Sequence, residues 1–194
     1  MTGEGDEYTV IEMAKRGDPA AVKQLIDTYA DTVYRFSYNV CRNADRAEHT
    51  TQETFLSILG KLGQYDHRSK LSTWIYSIVV NHCLMLARQG KMRRTRSLDE
   101  NGFTLPEAEM PLSTDDPHSL TEQADTRRHL DAAISRLSPE YRMVFVLRDI
   151  DGLSAEEVAK IMGISVPAVK SRLHRARKFL REQLAPLFQE DRHG

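Results

Sequence analysis

Cysteine is almost missing from this sequence: two in 194 residues, Cys41 and Cys83, far apart and in no CxxC pair. That leaves no disulfide framework to read, and both thiols are expected to fill helix faces in a reducing compartment. Aromatic residues make up only 7% of the chain and there are ten glycines, a combination that fits a helical protein. No apolar run is long enough to span a bilayer, and the acidic start is unlike a signal peptide. The expected setting is the cytoplasm, not a membrane. Missing too are a P-loop, a glycine-rich dinucleotide turn and an HExxH pair, and the seven histidines are scattered. His82 and Cys83 are adjacent on a predicted helix and point in different directions, which does not make a metal site. The sequence offers no catalytic residues, no cofactor, no metal centre and no small-molecule substrate, and it does not read as an enzyme.

An overall excess of basic charge is also absent, since the formal net charge is −1. That average conceals blocks. Residues 88–96 carry Arg88, Lys91, Arg93, Arg94 and Arg96 with no acid. Residues 97–126 carry Asp99, Glu100, Glu107, Glu109, Asp115, Asp116, Glu122 and Asp125 with no lysine or arginine. The chain turns basic again between Lys170 and Arg181. Two basic zones separated by an acidic segment suggest two nucleic-acid contacts and a spacer.

What the chain has in abundance is helical periodicity. Tyr8, Ile11 and Ala14 hint at a short helix before Gly17. Asp18-Pro19 is a start signal, Asp as N-cap and Pro in the first position, for a long amphipathic helix. That helix runs through Val22, Leu25, Ile26, Tyr29, Val33, Phe36 and Val40 and ends near Arg42-Asn43. Asp45 is the expected cap of the next, about residues 46–62. Ala47, Phe55, Ile58, Leu59 and Leu62 mark its apolar side, and Glu48, Gln52 and Glu53 its polar one. After a polar loop, Ser72 is the expected cap of a third helix with Trp74, Ile75, Ile78, Val79 and Leu86 inside, running into the first basic block. Nothing in this half reads as a strand. Residues 97–122, with Gly102, Pro106, Pro111 and Pro117 among acids, have no sustained period and read as a flexible linker. Helical pattern resumes near Gln123 with Leu130, Ala133, Ile134 and Leu137. Ser138-Pro139 then opens a helix holding Val144, Phe145 and Leu147 and stopping near Gly152.

The stretch Leu153–Leu180 is the most specific. Ser154 and Glu157 have the spacing of a capping box, Gly163 supplies a turn, and Ser165 can cap a second helix with Pro167 in its first turn. Val169, Leu173, Ala176 and Leu180 form an inner stripe. Lys170, Arg172, His174, Arg175, Arg177, Lys178 and Arg181 form an outer face. An apolar stripe behind a basic face suits a helix in the major groove of DNA, so this is a helix-turn-helix. The expected fold is all-α. A helical domain spans 1–96, a flexible acidic linker 97–122, a helix-turn-helix domain 123–186 and a tail 187–194.

Three motifs, in order, carry a family resemblance. Ala47-Glu-His-Thr-Thr-Gln-Glu-Thr-Phe-Leu56 looks like region 2.2 of bacterial sigma factors. Trp74-Ile-Tyr-Ser-Ile-Val-Val-Asn81 resembles the region 2.3–2.4 segment. Leu137-Ser-Pro-Glu-Tyr-Arg-Met-Val-Phe-Val-Leu147 with the helix-turn-helix resembles region 4. The plan as a whole is similar to the extracytoplasmic-function group of the sigma-70 family. The resemblance implies a promoter-specificity subunit with core RNA polymerase and promoter DNA as partners, and an anti-sigma factor as regulator. Its polymerase-binding surface would be Glu48, Gln52, Glu53, Thr54 and Leu56. The −10 element would be recognised and melted by Tyr65, His67, Arg68, Ser69, Lys70, Trp74, Asn81 and Arg88. The −35 element would be read by Lys170, Ser171, Arg172, His174, Arg175 and Lys178. His49 stands where the family usually has an acid, and Met85 where it often has Asp or another polar residue.

The chemistry of those residues agrees with the implied task. Holding an extruded base takes a stacking face, hydrogen bonds to the base edge and cations for the backbone. Tyr65, Trp74 and Tyr76 offer faces, Ser69 and Asn81 donors and acceptors, and Arg68, Lys70, the 88–96 cluster and, when protonated, His67 positive charge. Tyr65, in a polar loop, is the expected stacking surface. Trp74 is in register with Ile78 and is divided between core and base contact, and Tyr76 reads as a boundary residue. Asn81, an amide in an apolar helix, is expected to need buried partners. Two rival readings use fewer of these features. One is a sigma-like decoy that binds an anti-sigma factor without starting transcription; the other is a plain helix-turn-helix regulator.

Overall fold

The computed structural model describes residues 4–100 and 122–186, with side chains described for residues 6–89 and 127–186. Among the described residues every regular element is a helix. The chain divides into two compact units, Met1–Cys83 and Leu84–Gly194.

The first unit holds α1 (Glu4–Lys15), α2 (Pro19–Cys41), α3 (Ala44–Lys61) and the start of α4 (Leu71–Glu100). Asp18 caps α2 through the Ala21 amide, at 2.8 Å, with Pro19 next in line. Arg42 ends the helix in the left-handed region at φ 54°. Leu25, Val33, Phe36 and Val40 of α2, Ile58 of α3, and Ile75, Val79 and Val80 of α4 form the core, each at most 3% exposed. Ile11 and Ala14 of α1 are also buried.

Several boundaries and faces differ from the sequence expectation. Asn43, not Asp45, caps α3: its backbone is extended and its Oδ1 accepts from the Arg46 amide at 2.9 Å. Asp45 falls in the first turn, where its charge suits the helix dipole. The inner face of α3 is Ala47, Thr50, Thr54 and Ile58, at spacings of three and four. Leu59 follows Ile58 by one residue, about 100° round the helix, and is 39% exposed. Phe55 is half-buried. α4 begins at Leu71, with the Lys70 carbonyl accepting from the Trp74 amide, so Ser72 lies inside the first turn and is not its cap. The helical backbone of α4 continues to Glu100, past the expected linker start. Residues 101–121 of that linker and the tail 187–194 lie outside the described residues, as do the side chains of Lys91, Arg93, Arg94 and Arg96.

In the second unit, α5 (Glu122–Arg136), α6 (Pro139–Phe145), a π-turn (Val146–Ile150), α7 (Ala155–Met162) and α8 (Val166–Leu184) pack together. Ala133, Ile134 and Leu137 meet Ala176 and Leu180, with Tyr141, Phe145, Phe179 and Leu184 at the margin. Leu130 is 38% exposed and lies outside this core, contrary to the periodic pattern. Buried Arg142 stitches the end of α5 in place. Its Nε donates to the Ile134 carbonyl at 3.0 Å, and its Nη2 to those of Leu137, at 2.8 Å, and Ser135. These carbonyls include ones a helix end leaves without internal partners.

Candidate nucleic-acid interface

The helix-turn-helix forms from local signals. Ser154 Oγ accepts from the Glu157 amide at 3.1 Å, and Glu157 Oε2 accepts from the Ser154 amide at 2.8 Å, closing the capping box. Gly163 takes φ 63°, a left-handed helix end that a Cβ disfavours. Ser165 Oγ accepts from the Ala168 amide and starts α8. Val158, Ile161, Val169, Leu173, Ala176 and Leu180 are buried, so the opposite face of α8 is fixed outward.

On that outward face Lys170, Ser171, His174, Arg175 and Lys178 are exposed and Arg172 is half-buried. A groove along the helix is lined by Lys170, Leu173, His174, Arg177, Lys178 and Arg181, with Glu182 at its end. Two arginines have partners within the unit. Arg175 Nη1 donates to the Tyr141 hydroxyl at 3.3 Å. Arg177 makes a two-pronged pair with Asp149, at 2.9 and 2.6 Å. Arg177 therefore ties α8 to the π-turn while its side chain stays 53% exposed on the outer face. Its spacing in α8 alone could not show this, because Asp149 is 28 residues away.

The loop between α3 and α4 is closed. Tyr65 is 5% exposed; its hydroxyl donates to the Ser69 carbonyl at 2.6 Å, and its ring lies 5.4 Å from Trp74. Tyr65 is thus a wall of the loop, not an open stacking face. Tyr76 is buried against Phe36, edge to face, and offers no face either. Trp74 is half-buried. Asn81 is exposed, so the expected buried partners for its amide are not needed. Arg68, Lys70 and Arg88 are exposed and Ser69 half-buried. Arg68 Nε lies 3.0 Å from Asp66.

His67 sits at φ 60°, unusual for a residue with a Cβ, and is held from several sides. Its Nε2 lies 3.0 Å from Glu12 Oε1 and 3.2 Å from Lys15 Nζ. Its ring is 4.8 Å from Tyr8 and 4.6 Å from Tyr65. Lys15 also donates to the Tyr65 carbonyl at 2.8 Å. The hydrogen bonds from Lys15, and next those from His67, hold the Glu12 carboxyl below its ordinary range. The sequence pattern does not reveal that α1 fastens this loop, because the partners lie about 50 residues apart.

The outer side of α3 carries Glu48, Gln52 and Leu56 at four-residue spacing, then Leu59, all exposed. Leu56 is 64% exposed. Glu53 is half-buried, whereas Thr54 faces inward at 0% exposed, and its Oγ1 meets no hydrogen-bond partner. Thr54 cannot touch a partner directly in this conformation. Ser57 Oγ and His82 Nε2, 2.9 Å apart, join α3 to α4, and burial pushes the His82 imidazole below its ordinary value.

Comparison with known proteins matches both halves. The family described as Sigma-70 region 2 matches residues 25–93, and Sigma-70, region 4 matches residues 127–180. ECF RNA polymerase sigma factor SigW of Bacillus subtilis is 32% identical over 182 residues, covering 91% of this chain and 96% of SigW. ECF RNA polymerase sigma factor SigE of Mycolicibacterium smegmatis is 35% identical over 172 residues, covering 87% of this chain and 65% of SigE. Among solved structures, the sigma factor RpoE in complex with the anti-sigma factor NepR, from Bartonella quintana, superposes with a TM-score of 0.64. The sequence identity is 24%, covering 84% of this chain and 96% of that one, and shows a shared fold. A region 2 followed by a region 4 defines a protein of the sigma-70 family. Within it, the chain belongs to the extracytoplasmic-function sigma factors of bacterial RNA polymerase, a non-catalytic class.

Proposed function

We propose that the chain docks on core RNA polymerase through the outer side of α3, places the enzyme through α8 on a −35 element, and opens a −10 element with the loop 65–70 and α4. The observation that carries this is the exposed stripe Glu48, Gln52 and Leu56 in the same chain as an outward basic helix. A plain regulator has no use for the stripe, and a decoy has no use for the basic helix. Residues 1–96 would form the polymerase and −10 domain, 97–122 the linker, and 123–186 the −35 domain.

In this reading Gln52, Glu53 and Leu56 meet polymerase. Thr54 sets the packing of their helix and makes no contact itself. Lys170, Ser171, Arg172, His174, Arg175 and Lys178 face the −35 duplex. Phosphate contact is the ordinary role of such cations, and Arg175, steadied by Tyr141, reads a base edge. Asn81 with Arg68, Ser69, Lys70 and Arg88 receives the melted strand. Trp74 and Tyr65 wall the base site, with His67 held at its rim. Stacking is worth roughly 1–3 kcal/mol per base, comparable to unstacking costs, so opening one or two bases needs no ATP.

An anti-sigma factor is the proposed regulator, supported by the fold shared with an RpoE whose structure contains the anti-sigma factor NepR. No described helix is long and apolar enough to cross a membrane, and the proposed setting is the cytoplasm. Run-off transcription with core polymerase on a promoter library, paired with a core-binding assay, tests the whole reading. Transcripts are expected. Core or anti-sigma binding without transcripts would make the chain a decoy, and no core binding would make it a plain regulator.

A further inference from the structure

The loop between α3 and α4 lacks an open stacking face of its own, since Tyr65 and Tyr76 are buried and Trp74 is half-buried. Four rings nevertheless adjoin in series, and the series leaves the loop. Trp74 lies 5.4 Å from Tyr65, Tyr65 4.6 Å from His67, and His67 4.8 Å from Tyr8 of α1, centroid to centroid. The last ring is open: Tyr8 is 56% exposed.

The face of α1 that carries Tyr8 is built against the loop. Tyr8, Glu12 and Lys15 follow at spacings of four and three, so they share one side of the helix. Ile11 and Ala14 are buried beside them. Glu12 Oε1 accepts from Lys15 Nζ at 2.7 Å and lies 3.0 Å from His67 Nε2, and Lys15 Nζ donates to the Tyr65 carbonyl at 2.8 Å. These bonds set α1 on the loop, so the Tyr8 ring is in place before any ligand arrives and less order is lost on binding. The nearby acids are engaged or turned aside. Glu7 accepts from the Tyr29 hydroxyl at 2.7 Å, and Glu12 is paired with Lys15. Asp6, two residues before Tyr8, stands about 200° round the helix from it. Arg68 and Lys70, exposed on the same loop, are the cations a strand's phosphates need.

We propose that Tyr8 is a further DNA-binding residue of the −10 site: a base of the melted strand stacks on its exposed ring, beside the loop 65–70. The inference rests on the proposed opening of the −10 element by that loop, and it extends the site to α1. Every base has a π face, so such a contact tolerates sequence. Tyr8 therefore adds to opening and not to the choice among −10 sequences. Glu12 and Lys15 are positioning residues, which act on the base through Tyr8, His67 and Tyr65.

The test uses the full chain with core polymerase on a promoter recovered by run-off transcription. 5-Iodouracil is placed in turn at each position of the non-template strand across the −10 element. The adducts formed under light are mapped by peptide mass spectrometry, and one on Tyr8 is expected. Permanganate reactivity of unpaired thymines reads opening. Tyr8→Ala is expected to lower the ratio of open to closed complex roughly tenfold, the loss of one stacked base. Tyr8→Phe and Tyr8→Trp should keep it, with core affinity unchanged in all three. Opening by Tyr8→Ala equal to that of the wild type overturns the inference, as do adducts confined to residues 65–88. So does rescue by Tyr8→Leu, which would make the ring a packing partner of His67 and no more. A wild-type chain that binds core and opens no promoter overturns the −10 reading and the inference with it. That result stands apart from any difference among the Tyr8 variants.

Discussion

Arg142 shows how much a single buried charge can hold. It is 8% exposed and donates to the carbonyls of Ile134, Ser135 and Leu137. Arg142→Met keeps the apolar stem and removes every one of those donors, so that the Ile134 carbonyl keeps only the Leu137 amide and the Ser135 and Leu137 carbonyls lose the guanidinium. The expected cost is roughly 2–4 kcal/mol in a urea melt of the full chain. Glu12 gives a prediction of a different kind. Its carboxyl is held below the ordinary value by Lys15 and His67, so its grip on the loop is complete above the ordinary carboxylate range. The grip is lost as pH falls through the lowered folded value. Nuclear Overhauser contacts between the Tyr8 and His67 rings should persist through pH 4.5, the ordinary glutamate value, and disappear only below it. In Glu12→Gln they should be weak at every pH. Contacts that survive in the Gln variant would show that ring packing alone holds His67. At this scale the sequence is half legible. Exposed cations on α8 follow from its buried stripe, but the inward turn of Thr54 and Tyr65 depends on neighbours far along the chain.

Whole helices are more legible than residues, because their ends are written locally. Asp18, Ser154 and Ser165 are caps by type, spacing and observed hydrogen bond. The failures occur where two candidates compete within a few residues, Asn43 with Asp45, or where a hydroxyl sits near a start that backbone bonding sets, as at Ser72. The periodic pattern likewise misses Leu59, because an apolar residue beside the buried stripe looks from sequence like part of it. The turn of the helix-turn-helix can be tested at both ends. Ser154→Ala removes the cap of α7 at a cost of about 1 kcal/mol. Gly163→Ala meets no atom within 4 Å of the new Cβ, so its cost is backbone strain alone, roughly 1–2 kcal/mol at φ 63°. Both variants should melt earlier by circular dichroism while keeping the wild-type ranking of −35 sequences at low temperature. Arg175→Ala should do the reverse, with stability unchanged and binding weakened by about 1–3 kcal/mol, most on the preferred −35 sequence. An equal loss on every −35 variant would reduce Arg175 to a phosphate contact.

At the scale of the whole molecule, the proposed promoter grip is a problem of reach. Elements about 25 base pairs apart lie roughly 85 Å apart at ~3.4 Å per step. The chain from Glu100, where α4 ends, to Glu122, where α5 begins, is 22 steps and reaches roughly 75 Å when extended. A coil of that length averages only about 25–28 Å between its ends. The chain alone would therefore rarely hold both elements, and its acids disfavour lying on DNA. Polymerase is the scaffold that can keep it extended. Removing ten residues from this segment, 106–115, leaves a reach of about 40 Å, half the separation. The shortened chain should keep its affinity for core polymerase and its −35 preference on short duplexes. It should lose run-off transcription from promoters that need both elements by more than about tenfold, because α8 and α4 can no longer be engaged together. Undiminished transcripts from the shortened chain would show that the two units do not grip the promoter at two distant points.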